Sequence, residues 1–246
     1  SGLSWAALDT PSQWPFPEGA AAGRQRLYAD GRFANADGRA NFTAPAYRPV
    51  AQARDARFPI SLTTGRLRDQ WHGMSRTGSL ARLFAHEPEP ALDMHSGDLD
   101  RRGWRTGDLV RVRSREGEAV LPLRASDSLR PAQAFVAMHW GEEFIGGSGG
   151  KGQSLSGINA LMSGARCPQS LQPELKHAAV KIERVALPWR LLAAAWCPAD
   201  QVLLLRQRLR ALGGSLAYTH CVPFGREPDD RLGVLLRGAH ASAPDD

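Results

Sequence analysis

Residues 63–78 read Thr-Thr-Gly-Arg-Leu-Arg-Asp-Gln-Trp-His-Gly-Met-Ser-Arg-Thr-Gly, which gathers hydroxyls, guanidinium groups, an indole, an imidazole and glycines into one short segment. A hydrophobic core uses few of these groups. A pocket for a phosphorylated ligand with aromatic rings uses all of them, because phosphate oxygens need cationic forks and hydroxyl donors while rings need surfaces to stack on. The segment reads as a cofactor cradle; the plainer reading is a polar loop around a buried tryptophan.

Other clusters offer less chemistry. Gly146-Gly147-Ser148-Gly149-Gly150-Lys151-Gly152 superficially looks like a phosphate loop, but that motif needs a Gly five places before its Gly-Lys pair and a Ser or Thr after it. Ile145 and Gly152 stand at those two places, so the stretch reads as a mobile loop whose Lys151 could still reach a phosphate. No Ser-His-Asp or Cys-His arrangement emerges, Glu142-Glu143 reads as a solvated pair, and no catalytic residue is assigned. His86, His95, His177, His220 and His240 read as surface or packing residues. Cys167, Cys197 and Cys221 form no C-x-x-C pair, which signals neither a disulfide framework nor a metal site and fits a reducing compartment.

Strands must deliver the cradle. Phe58-Pro59-Ile60-Ser61-Leu62-Thr63 alternates apolar and small polar residues before Gly65, so a strand should end where the cradle begins. A turn at 103–108 leads into a strand at 109–114, and Glu116-Gly117 turns the chain into a second at 119–123, where Pro122 predicts an edge or a bulge. Residues 134–140 form one more strand, ending at His139 and Trp140, and 180–185 alternates as a half-exposed strand that closes the domain. Beyond Pro188 an apolar run precedes a helix from about 199 to 212, with Val202, Leu205, Leu209 and Leu212 at helical spacing and Gly213 as its stop. Strands at 216–221 and 232–237 flank a Pro- and Asp-rich turn, giving a small β-α-β-β appendage. The first 48 residues, with Pro11, Pro15, Pro17 and Pro45, hold no sustained period. They read as an extended lead-in with hairpin-like pieces at Asp30-Gly31 and Asp37-Gly38, packed on the main body.

Composition sets wide bounds. With 246 residues and 42% hydrophobic content the chain can bury a core as one large domain or two smaller ones. Its 31 Lys and Arg against 25 acids give a net charge of +6, which suits a polyanionic partner, although Lys occurs only at 151, 176 and 181 and the Arg bias weakens that clue. No run of 18 apolar residues and no secretory leader pattern is present, so a soluble cytoplasmic protein is expected. The opening Ser1-Gly2, without Met, suggests a piece of a longer polypeptide.

Residues 64–78 resemble the molybdopterin-dinucleotide-binding signature of the large molybdenum oxidoreductases, in the form seen in assimilatory nitrate reductases. Further blocks follow in the family's order: Glu87-Pro88-Glu89-Pro90, Gly107-Asp108-Leu109-Val110, His139-Trp140, Gly157-Ile158-Asn159 and Ser170-Leu171-Gln172-Pro173-Glu174-Leu175-Lys176. The lead-in, Gln13-Trp14-Pro15 through Asp37-Gly38-Arg39-Ala40, is similar to the segment before this domain in such enzymes. The resemblance covers residues 1–186 and reaches the last sixty more loosely. Two positions depart from the pattern: Gly73 stands where Thr is common, removing one hydroxyl, and Cys167-Pro168 replaces Asp-Pro.

The resemblance implies a mainly β fold with α/β elements: an extended lead-in (1–48), a double-psi β-barrel cap (49–186) and a small α/β C-terminal extension (187–246). The barrel would close over molybdenum bis(molybdopterin guanine dinucleotide), with the [4Fe-4S] cluster and the metal ligand in absent N-terminal parts. Arg66 and Arg76 would bind phosphate oxygens, Thr64, Ser75 and Thr77 would donate hydroxyl bonds, and Gly65 and Gly73 would let backbone NH groups approach. Asp69 would accept from guanine NH groups and Trp71 would stack on a ring. Gln70 falls within the same signature. His72, His139 and Trp140 would approach the pterin or guanine ends, and Asn159 and Lys176 would contact the dinucleotide. Implied partners are the remaining N-terminal domains of the same enzyme and an electron donor such as ferredoxin, flavodoxin or an NADH-linked reductase. The substrate would be nitrate, with formate dehydrogenase or a periplasmic nitrate reductase as relatives sharing the barrel. A different class stays open: a stand-alone basic barrel binding nucleotide, nucleic acid or protein. On the leading reading the chain reduces nothing by itself.

Overall fold

Alternation makes the first strand. In β1 (Ile60–Gly65) the side chains of Ile60, Leu62 and Thr64 turn inward and the residues between them are partly covered, so one face meets the core. The same rule places β2 (Leu92–Met94), β3 (Leu109–Arg113), β4 (Glu118–Ala125), β5 (Gln133–Ala137) and β7 (His177–Arg184), with the two-residue β6 (Ile145–Gly146) between the last two. The computed structural model describes residues 2–149, 152–227 and 231–243. A short helix α1 (Ser96–Arg102) follows β2 and ends at Gly103, whose φ of 64° is the left-handed cap that glycine adopts without penalty.

Six of these strands close into a barrel in the order β1-β5-β2-β4-β3-β7, the last pairing back onto the first. Two pairs are parallel, β1 with β5 and β2 with β4, and the remaining neighbours are antiparallel. Parallel neighbours need crossover connections, and two of them within a six-stranded barrel produce the double-psi architecture expected from the resemblance. The interior is packed with Leu62, Leu92, Met94, Val110, Val112, Leu121, Val136 and Val180, each under 1% exposed. Burying one such side chain contributes about 1.5–3 kcal/mol, which fixes strand register.

A second, four-stranded sheet runs β6-β9-β10-β8, built from β8 (Trp189–Cys197), β9 (Tyr218–Arg226) and β10 (Leu232–His240), with helix α2 (Val202–Gly213) packed beside β9 and β10. The β-α-β-β order of the appendage matches the sequence reading. Its sheet also takes in β6, which lies between barrel strands in the chain, through the pairs Ile145 with His220 and Gly146 with Thr219. Barrel and second sheet fall in one compact unit, Pro49–Asp246.

Four local expectations are corrected. Pro122 lies in the middle of β4 opposite Leu109, in a closed barrel with no edge; it fits because β2 pairs only from Leu123 onward, leaving that side of Pro122 without a ladder partner. In the unit Ser1–Arg48 the pieces at 30–31 and 37–38 are turns without strands: Gly31 N–H bonds the Tyr28 carbonyl, Gly38 N–H that of Asn35, and Phe33 N–H closes on the Gly38 carbonyl at 2.8 Å, but no strand ladder forms among the described residues. The glycine-rich stretch after β6 is hydrogen-bonded where it is described: Ser148 N–H reaches the Leu216 carbonyl at 2.6 Å, and Leu155 N–H that of Gly147 at 2.9 Å. Lys151, and the Pro- and Asp-rich turn at 228–230, lie outside the described residues. On α2 the expected residues Val202, Leu205 and Leu209 pack inward, but Leu212 is 72% exposed and Arg206 is buried in addition.

Candidate functional site

The cradle leaves the barrel at Gly65, where a Cβ atom would lie 2.7 Å from the Phe135 ring of β5. A side chain there would have to displace that ring. Beyond Gly65 the backbone takes left-handed conformations at two side-chain-bearing residues, His72 (φ 44°) and Met74 (φ 62°). Each costs roughly 1–3 kcal/mol and persists only where the surroundings impose it. Here they do. The Met74 side chain is 2% exposed, its N–H bonds the Trp71 carbonyl at 2.8 Å, and its own carbonyl accepts from Gly78 at 2.7 Å. Trp71 N–H reaches the Thr77 hydroxyl oxygen at 3.3 Å.

His139 supplies the rest of the restraint. It follows β5, is fully buried, and its Nε2 accepts from Leu67 N–H at 2.9 Å while its Nδ1 contacts the His72 carbonyl. A carbonyl can only accept, so Nδ1 carries the proton and the ring is a neutral, single tautomer. Burial is the main force holding its pKa below the ordinary value, and the neighbouring positive charges of Arg66, His72 and Lys176 push the same way, against the bond to His72. One imidazole thus fastens the cradle at Leu67 and at the start of the strained turn, His72. Trp140, 1% exposed, packs with Phe84 and Phe144 beneath it.

Between the cradle and three further segments lies a cleft of about 720 Å³. Arg66, His72 and Gly73 line it from the cradle, Met138 to Glu142 from the turn after β5, Ser156 to Ala160 without Ile158 from the next loop, and Gln172, Pro173, Leu175 and Lys176 from the approach to β7. Thr64 lies at its base, donating its hydroxyl to the Leu175 carbonyl at 2.7 Å. Ile158 N–H bonds the Trp140 carbonyl at 3.0 Å, which ties the Asn159 loop to the His139 turn. Arg66 and Lys176 are exposed and enter no ion pair among the described residues, whereas Glu142 is the one carboxylate in the lining. Free cations, a side-chain amide at Asn159 and open backbone at Gly73 and Gly141 form a donor set that fits a phosphorylated, ring-bearing ligand.

A helix of the appendage braces this arrangement. Arg206 of α2 is 6% exposed, donates from Nη1 to the Gly78 carbonyl (3.3 Å) and from Nη2 to the Glu143 carbonyl (3.4 Å), and stacks 4.6 Å from the Phe144 ring centre. Gly78 closes the cradle, and a Cβ there would lie 2.5 Å from that same ring. Burial pushes the guanidinium's pKa down, and its Nε finds no partner among the described residues. Sequence reading missed Arg206. Its signal was a charge at the fourth position after Val202, on the apolar face.

Of the residues given a role from sequence, Thr64, Arg66, His72, Gly73, His139, Trp140, Asn159 and Lys176 come together in the cleft. The others lie outside its lining. Gly65 abuts Phe135; Asp69 is held by Arg68 in a two-point bond at 2.7 and 2.8 Å, which lowers its pKa; Gln70 is buried with its amide on the Leu83 carbonyl. Trp71 is 52% exposed with the Arg66 guanidinium 5.8 Å from its ring, Ser75 and Arg76 are exposed, and the Thr77 oxygen serves Trp71. Gln172 and Glu142 line the cleft although sequence reading gave them no role there.

Comparison with known proteins bears on the family of the chain. Residues 60–179 match the family model described as the molydopterin dinucleotide binding domain. A nitrate reductase of Klebsiella oxytoca is 33% identical over 87% of this chain and 22% of its own length, and one of Synechocystis is 36% identical over 75% of this chain and 26% of its own. Among solved structures, acetylene hydratase from Pelobacter acetylenicus aligns with 57% of this chain and 21% of its own at 17% identity, with a TM-score of 0.45. The chain spans about a quarter of the length of the curated relatives it matches. Through residues 60–179, set in a chain similar to the C-terminal region of nitrate reductases, the protein belongs to the molydopterin dinucleotide-binding domain family.

Proposed function

We propose that the chain is the cofactor-anchoring cap of a cytoplasmic, assimilatory-type molybdenum nitrate reductase, and that it holds bis(molybdopterin guanine dinucleotide) in the 720 Å³ cleft. The observation that carries this reading is that Arg66 and Lys176, which enter no ion pair among the described residues, line one cleft together with the neutral, backbone-locked His139. Arg66, Lys176 and Asn159 would hold the phosphates and polar ring edges, while Trp71, Ser75 and Arg76, exposed outside the cleft, would close over the cofactor where other domains of the enzyme approach. Asp69 would accept from guanine NH groups only after giving up its bond to Arg68.

When bound, the molybdenum centre supplies the reduction of nitrate to nitrite. This chain contributes affinity and closure, and by itself reduces no nitrate. The [4Fe-4S] cluster and the electron donor, whether ferredoxin, flavodoxin or an NADH-linked reductase, would belong to the rest of the enzyme. The test is calorimetry of the chain with guanosine diphosphate and with a short DNA duplex at about 50 and about 200 mM salt. Guanosine diphosphate should bind, weakly and more weakly still in Lys176→Met. DNA binding that is stronger and falls steeply with salt would instead identify a nucleic-acid module.

A further inference from the structure

A second cleft, of about 640 Å³, opens between the barrel and the second sheet and shares no lining residue with the first. At its wall stands His220 of β9, 2% exposed. The Tyr218 hydroxyl lies 2.7 Å from His220 Nδ1, and burial pushes that phenol's pKa up, so it stays protonated. Its one partner among the described residues is this nitrogen, so the hydroxyl donates and Nδ1 accepts. The ring proton therefore sits on Nε2. That Nε2–H is buried, belongs to a ring that lines the cleft, and has no hydrogen-bond partner among the described residues. Buried donors are almost always paired in folded proteins, and exceptions point to function.

The groups around it define what it would take. Two guanidinium groups line the same cleft, Arg237 and Arg190, and Arg190 enters no ion pair among the described residues. Arg124, a third, is already saturated by both oxygens of Glu87 at 2.7 Å and by Asp93 at 2.6 and 3.0 Å. The remaining charge is Glu89, whose Oε2 lies 3.4 Å from Arg237 Nη1 and 3.8 Å from His220 Nε2. The second distance is too long for a hydrogen bond. Glu89 thus leans on these donors without satisfying the histidine. Pro90, Leu109 and Leu191 supply apolar wall.

We propose that this cleft binds a small carboxylate with an apolar body, its carboxylate taking the place of Glu89 between His220 Nε2–H and the Arg237 and Arg190 guanidinium groups. Two cationic forks and one neutral N–H suit a planar carboxylate, and the volume is within the range of sites for small organic ligands. Glu89 is then a competitor supplied by the chain itself, so removing it should tighten binding.

The test is calorimetry of the whole chain with 3-phenylpropanoate, using 3-phenylpropanamide as the uncharged control and inorganic phosphate as the anion control. Saturable binding of the carboxylate is expected, weakened at least tenfold in the amide and in phosphate. Arg237→Met and His220→Phe should each weaken it about tenfold, and Glu89→Ala should strengthen it several-fold. Arg237 and Glu89 are half-exposed, so their variants decide the matter even if His220→Phe fails to fold. Failure of 3-phenylpropanoate to bind, phosphate binding as tightly as the carboxylate, or affinity unmoved by both Arg237→Met and Glu89→Ala overturns the proposal. Guanosine diphosphate binding at the first cleft should be the same in all of these variants, which separates this outcome from that of the cofactor reading.

Discussion

His139 and His220 share almost every property by which a functional histidine is usually sought. Both are buried, both line a cleft, and both have pKa values held down chiefly by burial, His220 to about 3. They part at the hydrogen bonds. His139 gives both ring nitrogens to the backbone of the cradle, at Leu67 and His72, and has no polar atom left for a ligand. His220 gives one to Tyr218 and leaves the other without a partner among the described residues, on a ring that lines the second cleft. Burial and pKa report the environment of a ring; only an account of its two nitrogens separates a fastener from a binding group.

The largest effect that tests this contrast is removal of each ring. His139→Leu should destabilise the chain by about 3–5 kcal/mol, since it leaves the Leu67 donor and the His72 acceptor unpaired and releases the strained turn at 72–74. The paired substitution Tyr218→Phe with His220→Leu removes donor and acceptor together and should cost less than about 1 kcal/mol. Urea denaturation measures both. Equal losses would make His220 a fastener as well, and the contrast would collapse.

Arg206 extends the comparison to the appendage, for it braces the cradle beside the first cleft and has no counterpart at the second one among the described residues. Arg206→Met should cost about 2–3 kcal/mol, because the carbonyls of Gly78 and Glu143 lose a charged, two-pronged donor in a buried setting. Arg206→Lys should recover little, as a single ammonium cannot span both carbonyls. Guanosine diphosphate affinity of the folded Arg206→Lys protein should fall while 3-phenylpropanoate affinity stays put. If both fall together, the helix supports the whole unit and not the cradle alone.

How far the sequence revealed these sites follows from what each depends on. The barrel strands were legible because alternation carries burial directly, as in Ile60, Leu62 and Thr64, and the cradle because unusual residue types cluster within it. Which cradle residues enter the cleft was not legible. Arg68 captures Asp69, and the left-handed turn at His72 and Met74 decides that His72 lines the cleft while Ser75 and Arg76 do not. Arg206 was hidden because its two partners are carbonyls far away in the chain, and no pattern in the helix itself names them. His220 was hidden for the same reason: an unpaired nitrogen is a property of the packed neighbours Tyr218 and Glu89 together.

Acid should act through these histidines next. His139, His177 and His220 all have folded-state pKa values below the ordinary 6.5, each mainly through burial; Arg237 adds to the shift at His220, while at His177 Glu174 opposes it and Arg54 reinforces it. Below pH 6.5 the unfolded chain takes up protons that the folded chain refuses, so stability is fully present above that pH and falls as pH drops. The slope should be about 1.4 kcal/mol per pH unit for each histidine involved, and for His220 it should persist down to about pH 3. The Tyr218→Phe with His220→Leu protein should lose one histidine's share of the slope. An unchanged slope would mean that His220 is not refused its proton in the folded state.

The smallest change expected in stability belongs to the cations that make the first cleft a candidate site. Arg66 and Lys176 are exposed and enter no ion pair among the described residues, and Arg66 makes only a loose approach to Trp71, 5.8 Å from its ring. Lys176→Met should therefore alter folding stability by less than about 0.5 kcal/mol. Its removal should nevertheless weaken guanosine diphosphate binding about tenfold, roughly 1.4 kcal/mol, because a charge-assisted bond to phosphate is made only in the complex. Stability should even rise slightly at acidic pH, since one of the charges that disfavour His139 protonation is gone. A Lys176→Met protein that loses stability and keeps its affinity would place that lysine with the fasteners, beside His139, and leave the cleft without its defining charge.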